Sequence, residues 1–250
     1  MNLHIFPDKQ ALGRASGQRA AELIRAAIRQ AGRAHLLLAT GASQFETLAA
    51  LTAAKDIDWS QVVMFHLDEY LGLPATHPAS FRAYLQQRFV QRVGPLRAVH
   101  FIQGDAPDAQ AECERISNLI RAHPIDVALV GIGENGHLAF NDPPADMETE
   151  APYIRVNLDE ACRRQQLGEG WFASLEEVPR QAISMSVQQI LKSKHILCSV
   201  PDARKAQAVK MALEGPIGEW CAASALQAHP QCEFFLDKDS AALLSESLKA

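Results

Sequence analysis

The chain has 250 residues, and its formal charge of -5 with Lys and Arg spread along its length leaves no basic footprint for nucleic acid. Hydrophobic residues make up 48% and charged residues 21%, which argues against disorder, and no apolar run approaches the roughly 20 residues of a membrane span. The start MNLHIFPDKQ lacks the apolar core of a signal peptide, and Cys113, Cys162, Cys198, Cys221 and Cys232 show no CxxC spacing, so no disulfide framework or zinc knuckle is expected and the location fits a reducing cytoplasm.

In chain order, Leu3 to Phe6 reads as a strand and Lys9 to Arg33 as a helix, with apolar residues at helical spacing. His35 to Ala39 is a buried strand leading through Thr40-Gly41-Ala42-Ser43 into a helix from Gln44 to Ala54, where Ser43 and Glu46 match a capping box. A small-residue turn between a parallel strand and a helix start leaves free N–H groups at the sheet's carboxyl edge, a ready phosphate site, although no GxxxxGK[ST] loop occurs. Val62 to Leu67 is a third strand that delivers Asp68-Glu69-Tyr70, either a solvated turn or the place of a general base. Ser80 to Val93 reads as a helix, Val99 to Ile102 as a strand, and Asp108 to Arg121 as an amphipathic helix.

The richest stretch is Ile125 to Pro144, IDVALVGIGENGHLAFNDPP, a buried strand followed by Gly131, Gly133 and Gly136 and then by Asn135, His137, Asn141 and Asp142. The glycines match G-x-G-x-x-G, but that fingerprint needs a helix to start within the loop, and Pro143-Pro144 forbids one of useful length. His137 close to Asn135 and Asp142 instead looks like an imidazole oriented by a carboxylate, and no histidine spacing suggests a metal site.

Beyond Pro144, Tyr153 to Leu158 reads as a strand and Asp159 to Gln166 as a helix. Leu167 to Glu177 carries Trp171-Phe172, either a lid or a surface connection with its aromatics packed on the body. Ala182 to Met185 and His195 to Val200 are further strands with a short helix, Val187 to Lys192, between them. A helix after Pro201-Asp202 holds Lys205 in its first turn, where the dipole disfavours a cation unless an anion joins it. Glu233 to Leu236 closes the set, and the alternation of strand and helix implies an α/β fold with a mostly parallel central sheet flanked by helices.

Three motifs, LATGAS at Leu38 to Ser43, VVMFHLDEYLGLPATHPASF at Val62 to Phe81 and IDVALVGIGENGHLAFNDP at Ile125 to Pro143, resemble the glucosamine-6-phosphate deaminase/isomerase family, the sister of the 6-phosphogluconolactonases. The resemblance implies one modified Rossmann-like domain over residues 1–250, with a lid at about 159–177. It also implies conversion of an amino-sugar 6-phosphate to a ketose 6-phosphate and ammonia, with no cofactor or metal. The family's ring-opening histidine falls on His137 and its proton-shuttling carboxylate on Asp68, with Asn135 and Asp142 assisting. Substrate and phosphate binding falls on Thr40, Gly41, Ala42, Ser43 and Lys205, with Glu69 and Gly136 beside them.

This chain departs from the family at three places. Asp142 is one methylene shorter than the usual Glu, so its carboxylate must approach His137 differently. The lid arginine is replaced within Gly170-Trp171-Phe172, leaving Arg163 or Arg164 as stand-ins, and the activator-binding serine is absent from Pro144 to Arg155. The expected partner is a small sugar phosphate, with no nucleic acid and no membrane, and a homo-oligomer is left open. The rival readings are a lactone hydrolase and a non-catalytic sugar-phosphate sensor.

Overall fold

The computed structural model describes residues 2–249. Along the chain come β1 (Asn2–Phe6), α1 (Lys9–Ala31), β2 (Ala34–Leu38), α2 (Phe45–Thr52), β3 (Val62–His66), β4 (Asp68–Tyr70), α3 (Phe81–Leu85), β5 (Ala98–His100) and α4 (Ala109–Arg121). They are followed by β6 (Val127–Val130), β7 (Tyr153–Asn157), α5 (Glu160–Gly168), β8 (Gln181–Met185), α6 (Val187–Leu191), β9 (His195–Val200), α7 (Ala206–Glu214), β10 (Cys232–Asp237) and α8 (Glu246–Lys249).

Seven strands form one sheet in the order β1-β10-β9-β6-β2-β3-β5, every pairing parallel. β2, β3 and β6 are buried along their whole length because helices cover both faces, which is why they read as unbroken apolar runs. Alternate residues feed two cores: Leu36 and Leu38 pack with Ile24 of α1 and Leu48 of α2, while Leu37 packs with Ile116 of α4 and Val209 of α7. All five cysteines are free and buried, and no helix among the described residues is long and apolar enough to cross a membrane.

The sheet order locates the site. From β2 the chain winds outward through β3 to β5, then returns to β6 on the other side of β2 and winds away through β9 to β10. The turn after β2 and the glycine loop after β6 therefore leave the sheet side by side at the point where the winding reverses, the crevice where open parallel sheets bind ligands.

Three readings of the sequence need correction. The run Ser80 to Val93 is not one α-helix: α3 ends at Leu85 and widens into a π turn, Gln86–Val90, closed by the Gln91 N–H on the Gln86 carbonyl at 3.0 Å. The capping box does not form, because Ala42–Gln44 tightens into a 3-10 turn and Ser43 makes no capping hydrogen bond. Finally, Asp68-Glu69-Tyr70 is not a solvated turn. It is a buried strand of a second, antiparallel sheet ordered β4-β8-β7. The chain changes sheets at Leu67, whose N–H bonds the Leu38 carbonyl at 3.2 Å and whose carbonyl takes the Met185 N–H at 2.7 Å.

Candidate active site

A cleft of about 280 Å³ opens over the carboxyl edge of the large sheet, close to the lower end of the roughly 300–1,000 Å³ of small-molecule sites. Its lining includes Thr40, Gly41, Ala42, Ser43, Asp68, His137 and Lys205, residues from four separate segments of the chain.

The turn after β2 forms one end. Gly41 has φ +91°, a conformation that L side chains rarely adopt, and its carbonyl accepts from the Tyr84 hydroxyl at 2.9 Å. Gln44, fully buried, donates its amide to the Val130 and Ser199 carbonyls at 3.4 and 3.3 Å, tying the turn to the ends of β6 and β9. The N–H groups of Gly41, Ala42 and Ser43 make no hydrogen bond within the described residues, so they stand open at a helix start. Lys205, 6% exposed, makes no ion pair or side-chain hydrogen bond among the described residues, and burial holds its pKa down although Glu134 and Glu169 oppose this. A buried ammonium without a partner beside open N–H groups is an arrangement that an anion completes.

The sheet change at Leu67 sorts the acid pair. Neighbouring residues of a strand point to opposite faces, so Asp68 reaches the cleft and Glu69 does not. Burial, and next the charge of Glu69, push the Asp68 carboxyl up to about 8. Glu69 was expected beside the substrate; the structure corrects this. It is fully buried and spent on the chain, accepting from Tyr70, Phe81 and Arg82 N–H groups at 2.9, 3.2 and 2.9 Å and from the Ser80 hydroxyl at 2.8 Å. Those bonds, with the Arg82 guanidinium at 3.4 Å, fold the 71–80 loop back against β4.

The glycine loop places the imidazole. Gly136 donates to the Gly133 carbonyl and Gly133 to the His137 carbonyl, both at 3.0 Å, and the loop then turns at Leu138 and Asn141 rather than starting a helix. Asn135 accepts from the His137 N–H and donates to Asp142 Oδ1, both at 3.1 Å. Asp142 Oδ1 lies 3.1 Å from His137 Nδ1, off the axis of the ring N–H, so the shorter carboxylate does reach the ring but from an oblique direction. Its other oxygen takes the Asp159 N–H at 3.3 Å. Burial works against the Asp142 charge, but contact with His137 and the Asn135 amide outweigh it and hold the pKa below the usual value. Asn135, Asp142 and Gly136 are not on the cleft wall: the first two orient His137 from behind, and Gly136, at φ +86°, shapes the turn, so its expected place beside the substrate is also corrected.

His137, Asp142 and Cys162 bring potential ligand atoms within 4.8 Å of one another, with the Cys162 thiol pushed up by burial and then by the Asp142 charge. Asp142 is already committed to Asn135, Asp159 and His137, which suits a charged carboxylate that orients the imidazole.

Within the 159–177 segment, Gln165, Gln166 and Glu169 wall one side of the cleft. Gln165 accepts from the Glu134 N–H at 2.9 Å and Gln166 from the Tyr70 hydroxyl at 2.8 Å, while Phe172 packs edge-on to Tyr70 and stacks with His77. The aromatics are thus packed on the body. Neither proposed stand-in for the lid arginine reaches the cleft: Arg163 donates to the Val178 and Leu175 carbonyls, and exposed Arg164 pairs with Glu160. Lys9 and Arg204 line the cleft instead, as do Gln165, Gln166 and Glu169 of this segment, which the sequence reading missed. The polar residues of QQLGE recur at helical spacing, a pattern that in sequence does not differ from a solvated face.

One buried group under the site makes a pH prediction. His66 accepts the Ile102 N–H on Nε2 at 2.9 Å, and burial, then the Arg82 charge, lower its pKa to about 3. The unfolded chain takes this proton near 6.5, so His66 contributes stability that is complete above that pH and fades on acidification towards 3. Asp68 acts in the opposite sense over part of this range, so the comparison is with His66→Asn. From pH 7 to 5 the parent should lose about 2 kcal/mol relative to the variant in urea unfolding.

With this geometry in hand, the relatives are informative. The family described as "Glucosamine-6-phosphate isomerases/6-phosphogluconolactonase" matches residues 7–233. A glucosamine-6-phosphate deaminase of Oenococcus oeni is 36% identical over 231 residues, 92% of this chain and 95% of that protein, and one of an Exiguobacterium species is 40% identical over 197 residues, 78% and 74%. A solved monomeric glucosamine-6-phosphate deaminase superposes with a TM-score of 0.90 at 31% identity, covering 97% of this chain and all of its own. A 6-phosphogluconolactonase from Shewanella baltica shares the fold at TM-score 0.80 but only 20% identity, covering 95% of this chain and 97% of its own. The chain belongs to the glucosamine-6-phosphate isomerase/6-phosphogluconolactonase family.

Proposed function

We propose that the protein converts glucosamine 6-phosphate and water to fructose 6-phosphate and ammonia. The observation that carries this reading is that Asp68, His137 and an anion-ready turn with Lys205 line one cleft. The phosphate sits on the N–H groups of Gly41 to Ser43 and on Lys205, remote from the reacting carbons, and orients the chain. His137 takes the anomeric hydroxyl proton and returns one to the ring oxygen, with Asp142 and Asn135 holding the ring. Asp68 takes the proton from carbon 2 to give an enolamine and delivers a proton to carbon 1. Water then adds to carbon 2 and ammonia leaves, so the enzyme is a hydrolase as well as an isomerase. The isomerisation exchanges oxidation level between carbons 1 and 2 of the same sugar and the deamination is a hydrolysis, so neither calls for a redox cofactor, and five unpaired thiols suit a cytoplasmic setting.

The test offers the purified protein glucosamine 6-phosphate, galactosamine 6-phosphate and 6-phosphogluconolactone. Ammonia from the first, with no hydrolysis of the lactone above background, supports the reading; acid released from the lactone alone overturns it. Lys205→Met should raise KM for the sugar phosphate about a hundredfold with a smaller fall in kcat, read by steady-state kinetics, because it removes a charge that binds the ground and transition states alike.

A further inference from the structure

Glu169, which follows the last residue of α5, brings a carboxylate to the cationic end of the cleft, and the reaction above has no use for it. Its Oε1 accepts from the Gln165 amide at 3.2 Å. Its Oε2 is buried, has no hydrogen-bond partner among the described residues, and lies 3.7 Å from where a Cβ on Gly41 would sit. The charge is near enough to support the protonated forms of Lys205 and Arg204, yet it forms an ion pair with neither. A buried carboxylate oxygen without a donor is costly, and beside it the open N–H groups of Gly41 to Ser43 and the Lys205 ammonium are donors seeking an acceptor.

These requirements select among anions. A tetrahedral anion with no proton satisfies the open N–H groups and Lys205 but sets one of its own oxygens against Oε2, acceptor to acceptor. A phosphate monoester, whose second pKa is about 6, can keep a proton on that oxygen at little cost near neutrality and donate it. Sulfate and sulfate esters have no such proton. We propose that Glu169 is a specificity residue of the anion subsite, accepting a hydrogen bond from a protonated phosphate oxygen and so excluding sulfate. This rests on the reading of Gly41 to Ser43 and Lys205 as the phosphate subsite.

The test measures, by calorimetry at constant pH and ionic strength, the affinity of the whole protein for inorganic phosphate and inorganic sulfate, in the parent, Glu169→Gln and Glu169→Ala. The parent is expected to prefer phosphate by about fiftyfold, within the range set by the desolvation cost of leaving a buried polar group unpaired. The amide introduced by Glu169→Gln can donate to either anion, so sulfate should bind about tenfold more tightly and the preference should shrink; Glu169→Ala should move it the same way. An unchanged preference in both variants, including an equal weakening of the two anions from a loosened cleft wall, overturns the proposal, as does a parent with no preference. If the parent binds neither anion, the phosphate-subsite reading itself fails.

Discussion

Asp68→Asn is expected to abolish turnover and, at pH 8, to make the protein more stable. The carboxyl is 7% exposed and its pKa is pushed up to about 8, so the folded protein keeps a proton that the unfolded chain releases near 4. The stability this gives is complete below about 4 and is lost as pH rises through 8, by at most about 1.4 kcal/mol for each pH unit. An amide has no proton to lose and escapes that penalty. Thermal melts of parent and variant should therefore coincide more closely at pH 5 and diverge at pH 8, with the variant ahead by an amount on the order of a few kcal/mol. The same group should give the parent's kcat/KM an ascending limb towards pH 8, since it reports the free enzyme's essential base, while the variant loses about a thousandfold or more in kcat. A variant that keeps its turnover, or that melts below the parent at pH 8, contradicts the role given to Asp68.

Gly133→Ala should lower kcat by about a hundredfold or more with the fold intact. A Cβ on Gly133 would lie 2.2 Å from Cε1 and Nε2 of His137 and 2.4 Å from Cδ2, so the ring rests on the bare backbone of this glycine. The ring has little room to retreat, because Asp142 lies 3.1 Å from Nδ1 behind it. Ordinary contact requires a shift of about an ångström, the scale of misplacement that costs two orders of magnitude in a reaction needing aligned groups. Gly133 does not have a positive φ, so alanine introduces the clash without straining its own backbone. Steady-state kinetics alongside a denaturant melt separates the effects: kcat should fall far more than stability explains. Near-native kcat would show that His137 does not need its present position.

Most of the fold was legible because strands buried on both faces, such as His35 to Ala39 and His195 to Val200, read as unbroken apolar runs between helical patterns. The small antiparallel sheet was hidden because Asp68-Glu69-Tyr70 is polar in sequence and becomes a strand only through pairing with Ala182 to Ser184. The different fates of Asp68 and Glu69 follow from strand parity, which cannot be applied until the strand is recognised. Asp142, Asn135 and His137 were legible as a group because they lie within eight residues of one turn. The cleft wall supplied by Gln165, Gln166 and Glu169 was not, since glutamines on an amphipathic helix look like any solvated face until β4 and the glycine loop are packed beneath it.

The most direct measurement is the yield of ammonia and of fructose 6-phosphate from glucosamine 6-phosphate, followed together for the parent, Asp68→Asn and His137→Gln. Equal amounts of the two products from the parent, and neither from the variants above background, is the predicted outcome. Ammonia without the ketose, or a rate that either substitution leaves unchanged, would show that the acid of β4 and the imidazole of the glycine loop do not act together on this sugar.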